Sequence, residues 1–284
     1  MLGKLLKHEW TATRRILIPV NLTIILITIV GCIFLGTDLL QSENSIPLVI
    51  LLIILYAISM IILDLVSTIY LLVRFYKNLF TAEGYLMFTL PVTPLQLLNA
   101  KLIVASLWAI FNTLLTMGSI FALSFSSGYY AAVHENSTDK GAFLSGFISA
   151  LSNGAQDTAS FQDIFGYTPV VLIFLCFILF LVSSFFSLTM GYLAITLGQL
   201  VEKCRVACSI VFYIALYIGT QITSSIILIV INLRNITGTA TDSLSTTRSI
   251  YSTIFPASII LNLVLGILFY IITLILMRKK VNLE

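Results

Sequence analysis

Apolar residues dominate six stretches of the chain, 16–35, 46–73, 102–125, 169–197, 206–233 and 254–277, and Asp64 is the one acid inside any of them. A helix needs ~20 apolar residues to cross the hydrocarbon of a bilayer, and each stretch is long enough. None alternates with the period of two that a membrane β-barrel requires. The pattern predicts an all-α integral membrane protein with six transmembrane helices. Ahead of the first stretch, residues 1–15 place Leu2, Leu5, Leu6 and Trp10 near one helical face, with Lys4, Lys7, His8 and Arg15 mostly elsewhere. That predicts an amphipathic N-terminal interfacial helix over 1–15, followed by a six-helix domain over 16–284. It reads either as an anchoring flank or as a helix that also touches a cytosolic partner.

Composition agrees with burial in lipid: 59% of residues are hydrophobic, 10% are charged and the mean hydropathy is +1.07. One soluble core could not hide that much apolar surface. Positive charge is retained on cytoplasmic flanks, and it is unevenly placed here. Of the 15 Lys and Arg, all but Lys140, Arg234 and Arg248 fall on one side of the six spans. The opposite side carries Asp38, Glu43, Glu135, Asp139, Asp157, Asp163 and Asp242. Both termini are therefore expected in the cytoplasm, and the net charge of +3 reflects topology rather than a nucleic-acid partner. The first span starts too late and runs too long for a cleaved signal peptide, so it is expected to be retained as an anchor.

The segment 74–101, RFYKNLFTAEGYLMFTLPVTPLQLLNAK, interrupts this apolar background. Thr93 as a cap, Pro94 at the first helical position and Gln96 three residues after Thr93 predict a helix start that runs through Lys101 into the third span. Pro91 and Pro94 bar a continuous helix from the second span, so the chain turns over 90–93. Before the turn, Tyr85, Leu86, Met87 and Phe88 are too apolar for a solvated loop and need a surface, either the inner leaflet or another protein.

On the other side, 126–168 is a long acidic loop with a short helix expected over 142–151. The Thr- and Ser-rich loop 234–253 is expected to be mobile.

Candidate chemistry is sparse. There is no phosphate-binding glycine loop and no zinc-protease helix, and the only histidines are His8 and His134. The chain is not expected to be an enzyme or to hold a cofactor, metal or ATP of its own. Cys32, Cys176, Cys204 and Cys208 lie in or beside spans, which argues against a disulfide framework. Asp64 costs at least ~2.5 kcal/mol inside a span and needs a partner. Asn112 and Thr189 fall at similar depth, so the three are candidates for a translocation path or for an interhelical packing contact. Ser183, Ser187 and Gly191 repeat every four residues, which permits close helix approach within the chain or at a subunit interface.

Six spans, cytoplasmic termini, an amphipathic N-terminal helix and an aromatic inner loop between spans two and three together resemble the permease subunits of ABC-2 type exporters. The loop from Phe75 to Val92, FYKNLFTAEGYLMFTLPV, is similar to the one that Firmicute members carry. The resemblance implies a bacterial plasma-membrane protein that pairs with a second permease chain, a homodimer in the favoured reading. Two separate ATPase subunits, holding ATP and Mg, would drive it. Thr81, Glu83, Gly84, Tyr85, Leu86, Met87 and Phe88 would be the ATPase-coupling residues, and residues 1–15 the connecting helix. The short inner loop 199–205 would make a second, smaller contact. The cargo implied is amphipathic, a peptide toxin or antimicrobial peptide ahead of a lipid or drug. The competing reading is an autonomous secondary carrier or channel not coupled to ATP.

Overall fold

The computed structural model describes residues 2–35, 46–81, 93–134, 165–201, 204–239 and 243–279. They form six helices, α1 (Leu2–Leu35), α2 (Ile46–Phe80), α3 (Pro94–His134), α4 (Pro169–Gly198), α5 (Arg205–Thr239) and α6 (Ser243–Lys279). No strand occurs among the described residues. Every helix contains a stretch long and apolar enough to cross a membrane, so the chain is an all-helical, multi-pass membrane protein by length and composition. The 34 residues of α1 extend ~51 Å at ~1.5 Å per residue, against ~30 Å of hydrocarbon. Its excess length lies outside the acyl chains.

Residues 2–15 are helical as expected, and α1 continues from them without interruption to Leu35, because nothing between Thr11 and Ile18 stops a helix. One boundary differs from the sequence expectation. The 234–253 segment, expected to be a mobile loop, is helical over 234–239 and 243–253. It contains no proline, and elongating an existing helix is far easier than nucleating one, so low-propensity Thr and Ser are carried along. The short helix expected over 142–151 lies outside the described residues.

The chain divides into two compact units. One comprises Met1–Glu9, Leu72–Leu107 and Gly154–Glu284, and the other Trp10–Leu71 and Trp108–Asn153.

In the first unit α4 is the central helix, packing most extensively against α6 and next against α5. Every residue from Leu188 to Thr196 is buried. Met190, Leu193 and Phe269 form the core, with Phe186, Leu197, Tyr213, Leu216, Ile272 and Leu276 packed around them. Asn262 Nδ2 donates to Ser183 Oγ at 3.2 Å, and a Cβ on Gly191 would press into the Leu72 side chain. Ser183 and Gly191, two of the three small residues singled out on the fourth span, thus serve packing inside the chain. Gly198 sits at the α4–α5 turn, where a Cβ would lie 2.7 Å from both N and Cα of Ser209.

In the second unit α1 and α3 run parallel. Trp10 stacks on Trp108 with ring centroids 4.8 Å apart, and Trp108 Nε1 donates to Thr13 Oγ1 at 3.0 Å. Further along, Ser126 Oγ donates to the Cys32 carbonyl at 2.8 Å. Tyr56 Oη ties α2 to α3 through Ser119 Oγ at 2.7 Å.

The two glycines differ in what obstructs them, and that sets an ordering. Gly198→Ala meets backbone that cannot step aside, whereas Gly191→Ala meets the tip of a flexible leucine. We expect Gly198→Ala to cost ~1–3 kcal/mol as an overpacked site and Gly191→Ala clearly less. Thermal unfolding of the two variants in the same detergent checks the order.

Candidate functional site at the base of the α2–α3 connection

α2 ends at Phe80 and α3 begins at Pro94, so the two helices define the ends of the segment that carries the residues expected to couple to a partner. At its far end the predicted cap is present. Gln96 N–H donates to Thr93 Oγ1 and Thr93 N–H to Gln96 Oε1, each at 3.3 Å. Two backbone donors that the first helical turn leaves open are satisfied reciprocally, which fixes where α3 starts.

Just behind both ends lies a buried charged cluster. Glu9 on α1 is 4% exposed, Lys101 on α3 is 5% exposed and Asn78 on α2 is 9% exposed. Lys101 Nζ donates to Glu9 Oε1 at 2.6 Å and Arg74 Nε to Oε2 at 3.0 Å. Asn78 Nδ2 reaches Oε1 at 3.4 Å. Arg74 and Asn78 are one turn apart on α2, so a helix necessarily presents both on one face. Desolvating a carboxylate or ammonium costs several kcal/mol per ion, offset only when geometry and pairing are good. One carboxylate receiving donors from two other helices meets that condition. The result is a three-helix tie among the first nine residues of the chain, the end of α2 and the start of α3.

Packing reinforces the tie on the side of α4. Phe75, 1% exposed, stacks on Tyr192 with centroids 3.9 Å apart and planes 12° from parallel. Leu79 on α2 and Leu97 and Leu98 on α3 are fully buried as well. Tyr270 Oη on α6 donates to Asn99 Oδ1 at 2.5 Å. Both roots of the α2–α3 connection are thereby embedded in one compact unit.

The cluster contains one carboxylate engaged by two cations. Among the described residues, no group of His, Cys, Asp and Glu is placed to hold a metal ion. What the arrangement shows is a tie of the end of α2 and the start of α3 to Glu9 on α1.

The residues expected to couple to an ATPase are mostly out of view. Thr81 is exposed, with its hydroxyl donating to the Lys77 carbonyl, while Glu83, Gly84, Tyr85, Leu86, Met87 and Phe88 lie outside the described residues. Of the second group, Asp64 is exposed on α2 and forms no hydrogen bond with Asn112. Asn112 is buried with its Oδ1 unpartnered, and the Thr189 hydroxyl donates to the carbonyls of Phe185 and Phe186 within its own helix. In the α4–α5 turn, Gln199 caps α4 and Cys204 takes a left-handed φ of 58°.

Sequence reasoning missed Glu9, Asn78 and Lys101 as a set, treating the cations as markers of orientation. A signal was present: Glu9, Thr13 and Leu17 recur at four-residue spacing, which puts an acid on the inward stripe of α1. An acid on a buried stripe calls for a buried cation.

Searches against protein-family models, curated proteins and solved structures find no match.

Removing one partner of a buried pair leaves an uncompensated charge, at a cost of ~3–5 kcal/mol. Glu9→Ala should therefore destabilise the protein strongly, and Glu9→Leu combined with Lys101→Met should recover much of the loss. Unfolding midpoints of the single and double variants measure this; additive losses would show that the two side chains do not interact.

Proposed function

We propose that this chain is the membrane-spanning subunit of an ATP-driven exporter of the ABC-2 type, in a bacterial plasma membrane with both termini in the cytoplasm. The observation that carries the reading is the anchoring of the α2–α3 connection at both roots, by Glu9 with Arg74, Asn78 and Lys101 and by the Thr93–Gln96 cap. A loop that receives force from a partner transmits it only if its roots are stiff, and these roots are tied to each other and to α4. The aromatic stretch from Tyr85 to Phe88 supplies the burial that a partner groove would grip, and Glu83 offers a charge for its rim. The hydrolytic work then belongs to two separate ATPase subunits that hold ATP and Mg.

Asp64 supports pairing with a second permease chain. It is exposed on α2 among Ile61, Ile62 and Leu65, which are also exposed. A carboxylate facing acyl chains is costly, so this face is one that a second copy or an aqueous path covers. The largely uncharged spans suit an amphipathic cargo, a peptide ahead of a lipid or drug.

Purification of the tagged full chain from its native membrane should bring down an ATPase subunit. Tyr85→Ala and Glu83→Arg should each reduce that recovery at equal chain expression. Equal recovery with both variants would refute the coupling role, and recovery of the chain with no ATPase would favour an autonomous carrier or channel.

A further inference from the structure

α1 carries a second feature that the transport reading does not use. Thr11, Arg14, Arg15, Ile18 and Pro19 line a surface cavity of about 350 Å³. These positions fall on one side of the helix, opposite the buried Thr13, Leu17, Asn21 and Ile24. Arg14 and Arg15 are exposed, and no ion pair neutralises either one among the described residues. Along the same side the helix continues as an exposed apolar strip, Leu22, Ile25, Leu26, Ile29 and Ile33.

Depth gives this pattern its meaning. With ~20 residues needed to cross the hydrocarbon, a span over 16–35 puts Arg14 and Arg15 at the headgroup boundary, the cavity beside them and the apolar strip among the acyl chains. A ligand matching all three parts has a negative head at the guanidinium groups and long apolar tails running along α1. Arginine donates in a fork that fits phosphate oxygens, and two unneutralised guanidinium groups favour an anionic head over a zwitterionic one.

We infer that Thr11, Arg14, Arg15, Ile18 and Pro19 form a binding site for an anionic phospholipid, with the phosphodiester at the two arginines and the acyl chains along Leu22, Leu26 and Ile29. The site is independent of whether the chain is driven by ATP, since it uses only the lipid surroundings of a membrane helix.

The test is native mass spectrometry of the full chain in mild detergent, with an equimolar mixture of phosphatidylglycerol and phosphatidylcholine. Phosphatidylglycerol adducts should predominate, and the preference should fall about fivefold for each of Arg14→Gln and Arg15→Gln. Arg14→Lys with Arg15→Lys should keep most of it, which separates charge recognition from damage to the fold. Equal retention of the two lipids, or a preference unchanged in the glutamine variants, would overturn the site. Displacement of bound lipid by a modest excess of glycerol phosphate would overturn the lipid assignment by showing that the arginines read soluble phosphate alone.

Discussion

The arrangement of the first compact unit depends on one carboxylate that is out of water. Glu9 receives Lys101, Arg74 and Asn78 from two other helices while only 4% exposed. Its stabilising effect is conditional, because each ion pays a desolvation penalty that only the others offset. Such a tie tolerates little drift: if α2 or α3 shifts by the length of a hydrogen bond, a charge is left buried and alone. Apolar packing on Phe75 and Tyr192 resists separation but permits sliding, whereas the ionic tie also specifies register. The two together explain why the roots of the α2–α3 connection are well specified.

The continuity of α1 matters for the same reason. A surface helix over 1–15 joined by a bend to the first span would leave Glu9 free to point along the membrane plane. As one helix from Leu2 to Leu35, α1 has Glu9, Thr13, Leu17, Asn21 and Ile24 on a single inward stripe. Its other side is exposed, with Arg14 and Arg15 ahead of the apolar strip Leu22, Ile25, Leu26, Ile29 and Ile33. Helical geometry alone thus places the acid in the protein and the arginines outside it.

The number and type of helices were legible in the sequence because crossing a bilayer requires runs of apolar residues that nothing else in a protein imitates. The start of α3 was legible to the residue, since Thr93, Pro94 and Gln96 act through contacts three positions apart. The charged cluster was not, because Glu9 lies 65 and 92 positions from its partners and only the fold brings them together. Asp64 and Asn112, candidates at similar depth for a path or a packing contact, are placed on differently exposed faces. Equal depth along two helices says nothing about azimuth, and α2 turns Asp64 outward while α3 turns Asn112 inward.

Buried polar groups are satisfied unevenly among the described residues: besides Gln199 Nε2 in the first unit, two unpartnered atoms lie in the second. In the first, the Glu9 cluster pairs its charges across three helices. In the second, Asn21 and Asn112 are each 3% exposed and each leaves its Oδ1 without a hydrogen bond. An orphaned buried acceptor costs ~1–3 kcal/mol, which the surrounding apolar packing of α1 and α3 has to offset. The root of the α2–α3 connection is thus fixed by paired charges, whereas the asparagine-bearing stretch of α1 and α3 rests on ring stacking and neutral hydrogen bonds such as Trp108 to Thr13.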